Sequence, residues 1–173
     1  MRGQAIRSLA IGDSARVQAE AVRLITTDPS FYAQEAALSV YDPSVAPQGT
    51  ALLVDRIAHG GSLGVRLTAA QRLALEPDAA GLDALDAMTA EKEPREVRTT
   101  ALTLLANWPD KARAVTVATR YLEDGDPLFA SAAAQTLGRI GGDAGRAALR
   151  KAEAAESRVT VKAAIVKALS GER

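Results

Sequence analysis

The stretch Asp126-Pro127-Leu128-Phe129-Ala130-Ser131-Ala132-Ala133-Ala134-Gln135-Thr136-Leu137-Gly138 decides the fold. Aspartate followed by proline is a helix start, because the carboxylate caps the first turn and proline at the first helical position has no amide left to satisfy. Phe129, Ala133, Ala134 and Leu137 are then spaced by four, five and eight residues, which puts them on one helical face. Steps of thirty-two residues from Phe129 reach Val97 and Val65 in one direction and Val161 in the other. Around each anchor the same face returns: Ala69, Ala101 and Ile165 four residues on, Ala70, Leu102 and Val166 five on, and Leu73, Leu105 and Leu169 eight on. Further back the register gives Ala33 with Ala37, Leu38 and Tyr41, then Met1 with Ala5, Ile6 and Leu9. A fixed period of this length is the mark of a repeat array.

Half a period away runs a second apolar series, Ala21, Leu53, Leu85, Val117 and Leu149, with Ala51, Ala84, Ala147 and Ala148 expected to pack beside it. Each repeat therefore holds two helices. Breakers separate the series at Asp28-Pro29, Asp42-Pro43, Gly60-Gly61, Glu76-Pro77, Pro94, Trp108-Pro109, Gly125-Asp126-Pro127 and Gly141-Gly142. The pattern predicts eleven helices, near 2–11, 14–26, 29–41, 46–59, 63–75, 78–90, 94–107, 110–123, 127–140, 143–154 and 157–170. Two segments, 115–119 and 158–162, alternate in the manner of strands and are rich in β-branched residues. Both fall in register with helical segments one period away, so the register predicts helix for each.

Composition narrows the chemistry. The 173 residues carry 21 basic and 21 acidic side chains, and the core must be aliphatic, since 47% of residues are hydrophobic but only 3% aromatic. Thirty-seven are alanine, a composition that favours close helix-on-helix packing. With no cysteine and a single histidine, His59, a disulfide framework, a thiolate zinc site and any site needing two histidines are excluded. Zero net charge gives no support for general nucleic-acid binding. No apolar run approaches a membrane span, and the first twenty residues lack the apolar core of a signal peptide. The compartment stays open.

The period, the two helices per repeat, the stretch 126–138 and the valine-arginine pairs Val65-Arg66 and Val97-Arg98 together resemble the HEAT-like repeats first described in phycobilin lyases. The resemblance covers essentially the whole chain. It implies an all-α fold, an α-solenoid of stacked antiparallel helix pairs that curves to give a concave surface, because no single hairpin can bury its own apolar face. It says little of function, since such repeats serve scaffolds, lyases, nucleic-acid readers and enzyme appendages. The stretch 28–37, Asp28-Pro29-Ser30-Phe31-Tyr32-Ala33-Gln34-Glu35-Ala36-Ala37, also resembles the C-terminal helical-repeat region of some bacterial zinc aminopeptidases of the aminopeptidase N type. Their catalytic His-Glu-x-x-His and Gly-x-Met-Glu-Asn signatures are absent, so the resemblance brings no zinc ligand or peptidase residue. The register opens at Met1 on the second helix of a hairpin, which suggests that residues 1–173 are one repeat domain cut from a longer chain.

Candidate sites all have a structural reading. His59 closes a helix before Gly60-Gly61, where the helix dipole favours a cation, and no adjacent carboxylate, serine or second histidine suggests catalysis. The glycines at 138, 141, 142 and 145 follow a helix rather than the strand a phosphate loop needs, and read as a helix-helix turn. The acids Glu123, Asp124 and Asp126 lack the ligand ladder of a calcium loop, and capping by Asp126 accounts for them. Gln34, Arg66, Arg98 and Lys162 recur at one per repeat, interrupted by Ala130, and are expected to face outward as a polar ridge on the second helices. Charge is uneven: seven acids against two bases lie between Glu76 and Glu96, and eight bases against four acids from Arg139 to Arg173.

These features predict a non-catalytic interaction or scaffold module without cofactor or metal. Its partner is a protein or a neighbouring domain, met along the ridge of Gln34, Arg66, Arg98 and Lys162, and one form of it is the C-terminal appendage of a larger bacterial enzyme such as a zinc aminopeptidase. The alternatives are a nucleic-acid-binding solenoid, for which the basic column is too weak and lacks aromatic company, and a lyase-type enzyme with a concave-face site, against which the lack of usable histidine or cysteine counts.

Overall fold

The computed structural model describes residues 14–171. Ten helices and no strand occur among them. They are α1 (Ser14–Thr27), α2 (Phe31–Val40), α3 (Gly49–His59), α4 (Leu63–Leu73), α5 (Ala79–Met88), α6 (Arg95–Leu105), α7 (Lys111–Thr119), α8 (Pro127–Ile140), α9 (Gly142–Ala155) and α10 (Val159–Ser170). The expected helix at 2–11 and the register positions Met1, Ala5, Ile6 and Leu9 lie outside the described residues. The architecture is an all-α solenoid of helix pairs, and it divides into two compact units, Met1–Ala84 and Leu85–Arg173, with the division falling inside α5.

In the first unit α2 packs against both α1 and α4, and α4 against α3. The second unit shows the two-layer logic most fully: α8 lies between α6 and α10 in one layer, α7 packs on α9 in the other, and each layer buries its apolar face against its opposite. The anchors Val65, Val97, Phe129 and Val161 have no solvent exposure at all, nor do Ala69, Ala101, Ala133 and Ile165. The half-period series is equally internal, from Ala21 and Leu53 to Leu85, Val117 and Leu149. Two of the alanines expected beside it, Ala51 and Ala147, face solvent, while Leu52 next to Ala51 and Leu149 two residues after Ala147 are buried.

The two strand-like segments are helical, as the register requires, because Val117 and Val161 are core positions whose burial outweighs the small helix penalty of β-branching. Caps explain the starts. Asp126 accepts from the Leu128 amide at 3.0 Å with Pro127 in the first turn, Asp110 accepts from Arg113 N at 3.0 Å, and Ser62 from Val65 N at 3.1 Å. Several helices are shorter than expected. For α7, expected to reach 123, the α-helix ends at Thr119 and tightens into three-residue turns, the Tyr121 amide donating to Ala118 O at 3.1 Å and the Leu122 amide to Thr119 O at 3.3 Å.

Two glycine positions are dictated by geometry. Gly141 and Gly142 hold φ of 70° and 74°, left-handed values that let α8 reverse directly into α9. At Gly138, a Cβ would stand 2.9 Å from the Ala168 Cβ, so α8 and α10 approach as closely as backbone allows.

Candidate functional site

Gln34, Arg66 and Arg98 sit on α2, α4 and α6, one residue past the anchor in each, and all three turn back on their own chain. Gln34 Nε2 donates to the Asp28 carbonyl at 2.7 Å, Arg66 Nε to the Ile57 carbonyl at 2.8 Å, and Arg98 Nε to the Thr89 carbonyl at 3.0 Å. For the two arginines the acceptor lies nine residues behind, in the end of the preceding helix or the turn after it. The expected outward column is therefore corrected. Gln34 and Arg98 are buried, and the side chains are long enough to reach the carbonyls that a helix end leaves without partners. Lys162, on α10, is exposed. Each of the first three bonds to its own turn rather than to another of the four.

Arg98 is the most enclosed. Its Nη2 meets Asp124 Oδ2 at 2.6 Å, and its guanidinium carbon lies 3.8 Å from the Phe129 ring centroid and 5.7 Å from that of Tyr121. The two rings pack at 5.1 Å and 58°, and the Tyr121 hydroxyl is 2.9 Å from Thr89 Oγ1. Charge, ring face and hydrogen bonds all converge on one side chain. At Ala130 the column has no polar group, and Arg158 serves the corresponding turn from the next repeat, reaching Asp124 O at 2.5 Å and Leu122 O at 3.2 Å. Glu156 steadies Arg158 from Oε1 and Oε2, and this contact draws the Glu156 carboxyl down to about 2.

The remaining candidates resolve into local structure. His59 does close α3, but a carboxylate lies one helical turn behind it: Asp55 Oδ1 is 3.0 Å from His59 Nδ1, a spacing of four that sequence reasoning overlooked. Arg56, bonded to the same carboxylate, holds Asp55 below the usual carboxylate range, with His59 contributing. Asp124 and Asp126 are engaged by Arg98 and by Arg95, the latter at 2.6 Å. Among the described residues no cluster of three or more metal-ligating side chains occurs, and no helix is long and apolar enough to cross a membrane.

Several large apolar side chains stay exposed. In the first unit Phe31, Tyr32 and Leu63 are exposed at the starts of α2 and α4, Tyr32 to 86%. In the second, Leu128 and Val159 are exposed at the starts of α8 and α10. The signal was present in the sequence, since Phe31, Leu63 and Val159 share one register position and Tyr32 and Leu128 the next. A groove of about 560 Å³ also runs along α10, lined by Ser157, Val159, Lys162, Ala163, Val166, Lys167 and Ser170. The family model for HEAT repeats matches residues 82–170. No curated protein matches the chain, so neither the phycobilin-lyase type nor the aminopeptidase resemblance gains a relative.

Proposed function

The chain belongs to the HEAT-repeat family, and from that premise we propose that it is a non-catalytic protein-interaction module that binds through the exposed apolar starts of its anchor helices. The observation that carries the reading is the exposure of Phe31, Tyr32 and Leu63 at the starts of α2 and α4, two of them aromatic in a chain with few aromatics. Aromatic side chains at the surface are the usual anchors of protein interfaces, because they bury much area for little lost freedom. Of the ridge named from sequence, Lys162 is the member that stands exposed to a partner. That Gln34, Arg66 and Arg98 direct donors to backbone carbonyls supports a protein partner over nucleic acid, whose affinity depends on several cations reaching phosphates together. The partner is a separate protein or a neighbouring domain. The narrower proposal, a zinc aminopeptidase appendage, draws on the stretch 28–37. There Asp28 binds the Ser30 amide and Gln34 binds the Asp28 carbonyl, which is turn-building rather than an enzyme's signature.

Affinity capture with the purified chain, followed by identification of the retained protein and reconstitution of the pair from purified components, tests this reading. Tyr32→Ser together with Leu63→Ser should weaken the reconstituted pair while leaving the circular dichroism spectrum unchanged. A reconstituted pair indifferent to both changes would remove the apolar helix starts from the interface.

A further inference from the structure

Asp124 lies in the turn between α7 and α8 with every polar atom engaged. Its Oδ2 accepts from Arg98 Nη2 at 2.6 Å and its Oδ1 from the Asp126 amide at 2.9 Å, while its own amide donates to the Tyr121 carbonyl at 3.3 Å and its carbonyl accepts from Arg158 Nη1 at 2.5 Å. Two repeats therefore hold the two carbonyl carbons of one residue: Arg98 on α6 grips the side-chain carboxylate, and Arg158, just ahead of α10, grips the main-chain carbonyl. The next residue is the opposite case. Gly125 is exposed, a Cβ built on it would meet nothing within 4 Å, and its amide makes no hydrogen bond among the described residues.

Asp124-Gly125 is also the chain's one aspartyl-glycine bond, and there is no asparaginyl-glycine bond. A bond of this type is open to spontaneous rearrangement, because glycine puts no side chain in the way of its own nitrogen. The Gly125 nitrogen attacks Asp124 Cγ, a C–N bond forms, and the carboxyl hydroxyl leaves as water with the amide proton, giving a five-membered imide. Water then adds to one of the two imide carbonyls. Addition at Cγ restores aspartate. Addition at the main-chain carbonyl breaks the original peptide bond and leaves isoaspartate, in which the chain runs through Cβ and Cγ, the former main-chain carbonyl is a free carboxylate, and the mass is unchanged.

We propose that Asp124 is a modification site of this kind, and that the Arg98 clamp is what keeps it as aspartate in the folded chain. Two features of the clamp oppose the reaction. In the ion pair the side chain is a carboxylate, a poor electrophile with no hydroxyl to lose, and with both oxygens bound, to Arg98 and to the Asp126 amide, Cγ cannot swing towards the Gly125 nitrogen. The imide forms only when the turn opens, so isoaspartate accumulates with the time the latch spends open. The product cannot close the latch in its old form, since isomerisation exchanges the two carbons: an amide carbonyl would face Arg98 and a carboxylate Arg158, on a main chain one carbon longer. A transient opening of the second unit is thereby made permanent.

The full chain is incubated for weeks at neutral pH, folded or in denaturing urea, and the tryptic peptide 121–139 is examined by electron-transfer fragmentation, which separates isoaspartate from aspartate at equal mass. Folded wild-type protein should isomerise about tenfold or more slowly than the unfolded chain, and Arg98→Met should lose most of that protection. Leu105→Ala, at a buried position outside the turn, loosens the unit without touching the latch and serves as the stability control. At equal fraction folded, the arginine variant should isomerise faster than this control. If Arg98→Met fails to fold, Arg98→Gln, which keeps an amide donor in that place, is read in the same way. The purified isoaspartyl form should unfold at lower urea than its parent. Equal rates in folded and unfolded wild type overturn the proposal, as does the lack of isoaspartate at 124 even in urea. So does an arginine variant no faster than Leu105→Ala, which would assign the protection to the unit as a whole.

Discussion

Arg66 and Arg98 make the same hydrogen bond, each to a carbonyl nine residues behind, yet the two side chains are not equally enclosed. Arg66 is half-buried in the first unit. Arg98, 7% exposed in the second, also holds Asp124 and lies on the Phe129 ring. The contrast separates two sources of structure in a repeat protein. The period places the arginine and its first acceptor, since both depend only on helix and turn geometry. Enclosure depends on particular residues of the next repeat: position 124 supplies a carboxylate to Arg98 and position 129 a ring.

The comparison breaks most completely if the core beneath Arg98 is removed. Leu105→Asp should destabilise the second unit by about 4 kcal/mol or more, because an unpaired charge enters a site with no solvent exposure. At the exposed Thr103 the same change should stay within about 0.5 kcal/mol. The single tryptophan, Trp108, is buried in the second unit, so the urea dependence of its emission reports on the packing around it in that unit.

The arginines themselves give the direct test. Arg98→Met leaves the Asp124 carboxylate without its cation and is expected to cost about 3–5 kcal/mol. Arg66→Met, at the half-buried site, removes at least the charged hydrogen bond to the Ile57 carbonyl, worth about 1.5–3 kcal/mol. Trp108 emission follows the first variant and far-ultraviolet circular dichroism the second. Equal losses would mean that the enclosure of Arg98 adds nothing to the shared bond.

The smallest effect sharpens the picture at Arg158, which stands in for the missing arginine of Ala130. Arg158 holds the folded-state carboxyl of Glu156 near 2, below its ordinary 4.5. A depressed carboxyl contributes stability that is complete above its unfolded value and is lost as pH falls towards the folded one. The wild-type unit should therefore lose stability more steeply than Glu156→Gln between pH 4.5 and about 2, measured as urea midpoints across that range. Parallel slopes would show that the carboxylate is not held.

The sequence was most readable where burial is symmetric. Val65, Val97, Phe129 and Val161 are equivalent by period and equally buried, and the β-branched segments of α7 and α10 are helical because Val117 and Val161 belong to the core. Periodicity marks positions as equivalent without saying whether a neighbour covers them, which is why Ala134 is buried and Val166 is not. It is equally silent on long polar side chains. Gln34 and Arg98 lie next to the core and fold back to carbonyls, so a regular polar column in the sequence became a set of internal braces. The exposed apolar positions at Phe31, Leu63 and Val159 carried a periodic signal too, but apolar residues at a helix start read as core until the absence of a covering helix is seen.

One hydrogen atom at residue 138 sets how tightly the second unit is wound. A methyl group there would meet the Ala168 backbone as well as its Cβ, with Cα and carbonyl oxygen both 3.1 Å away. Neither can swing aside as a flexible side chain could, so the helices would be wedged apart at their C-terminal ends. Alanine at 138 would act as a shim, opening the pitch of α8 on α10 at one end and altering the outline of the surface those helices present. A change of a single carbon could in this way retune the shape of a binding surface without touching any residue on it.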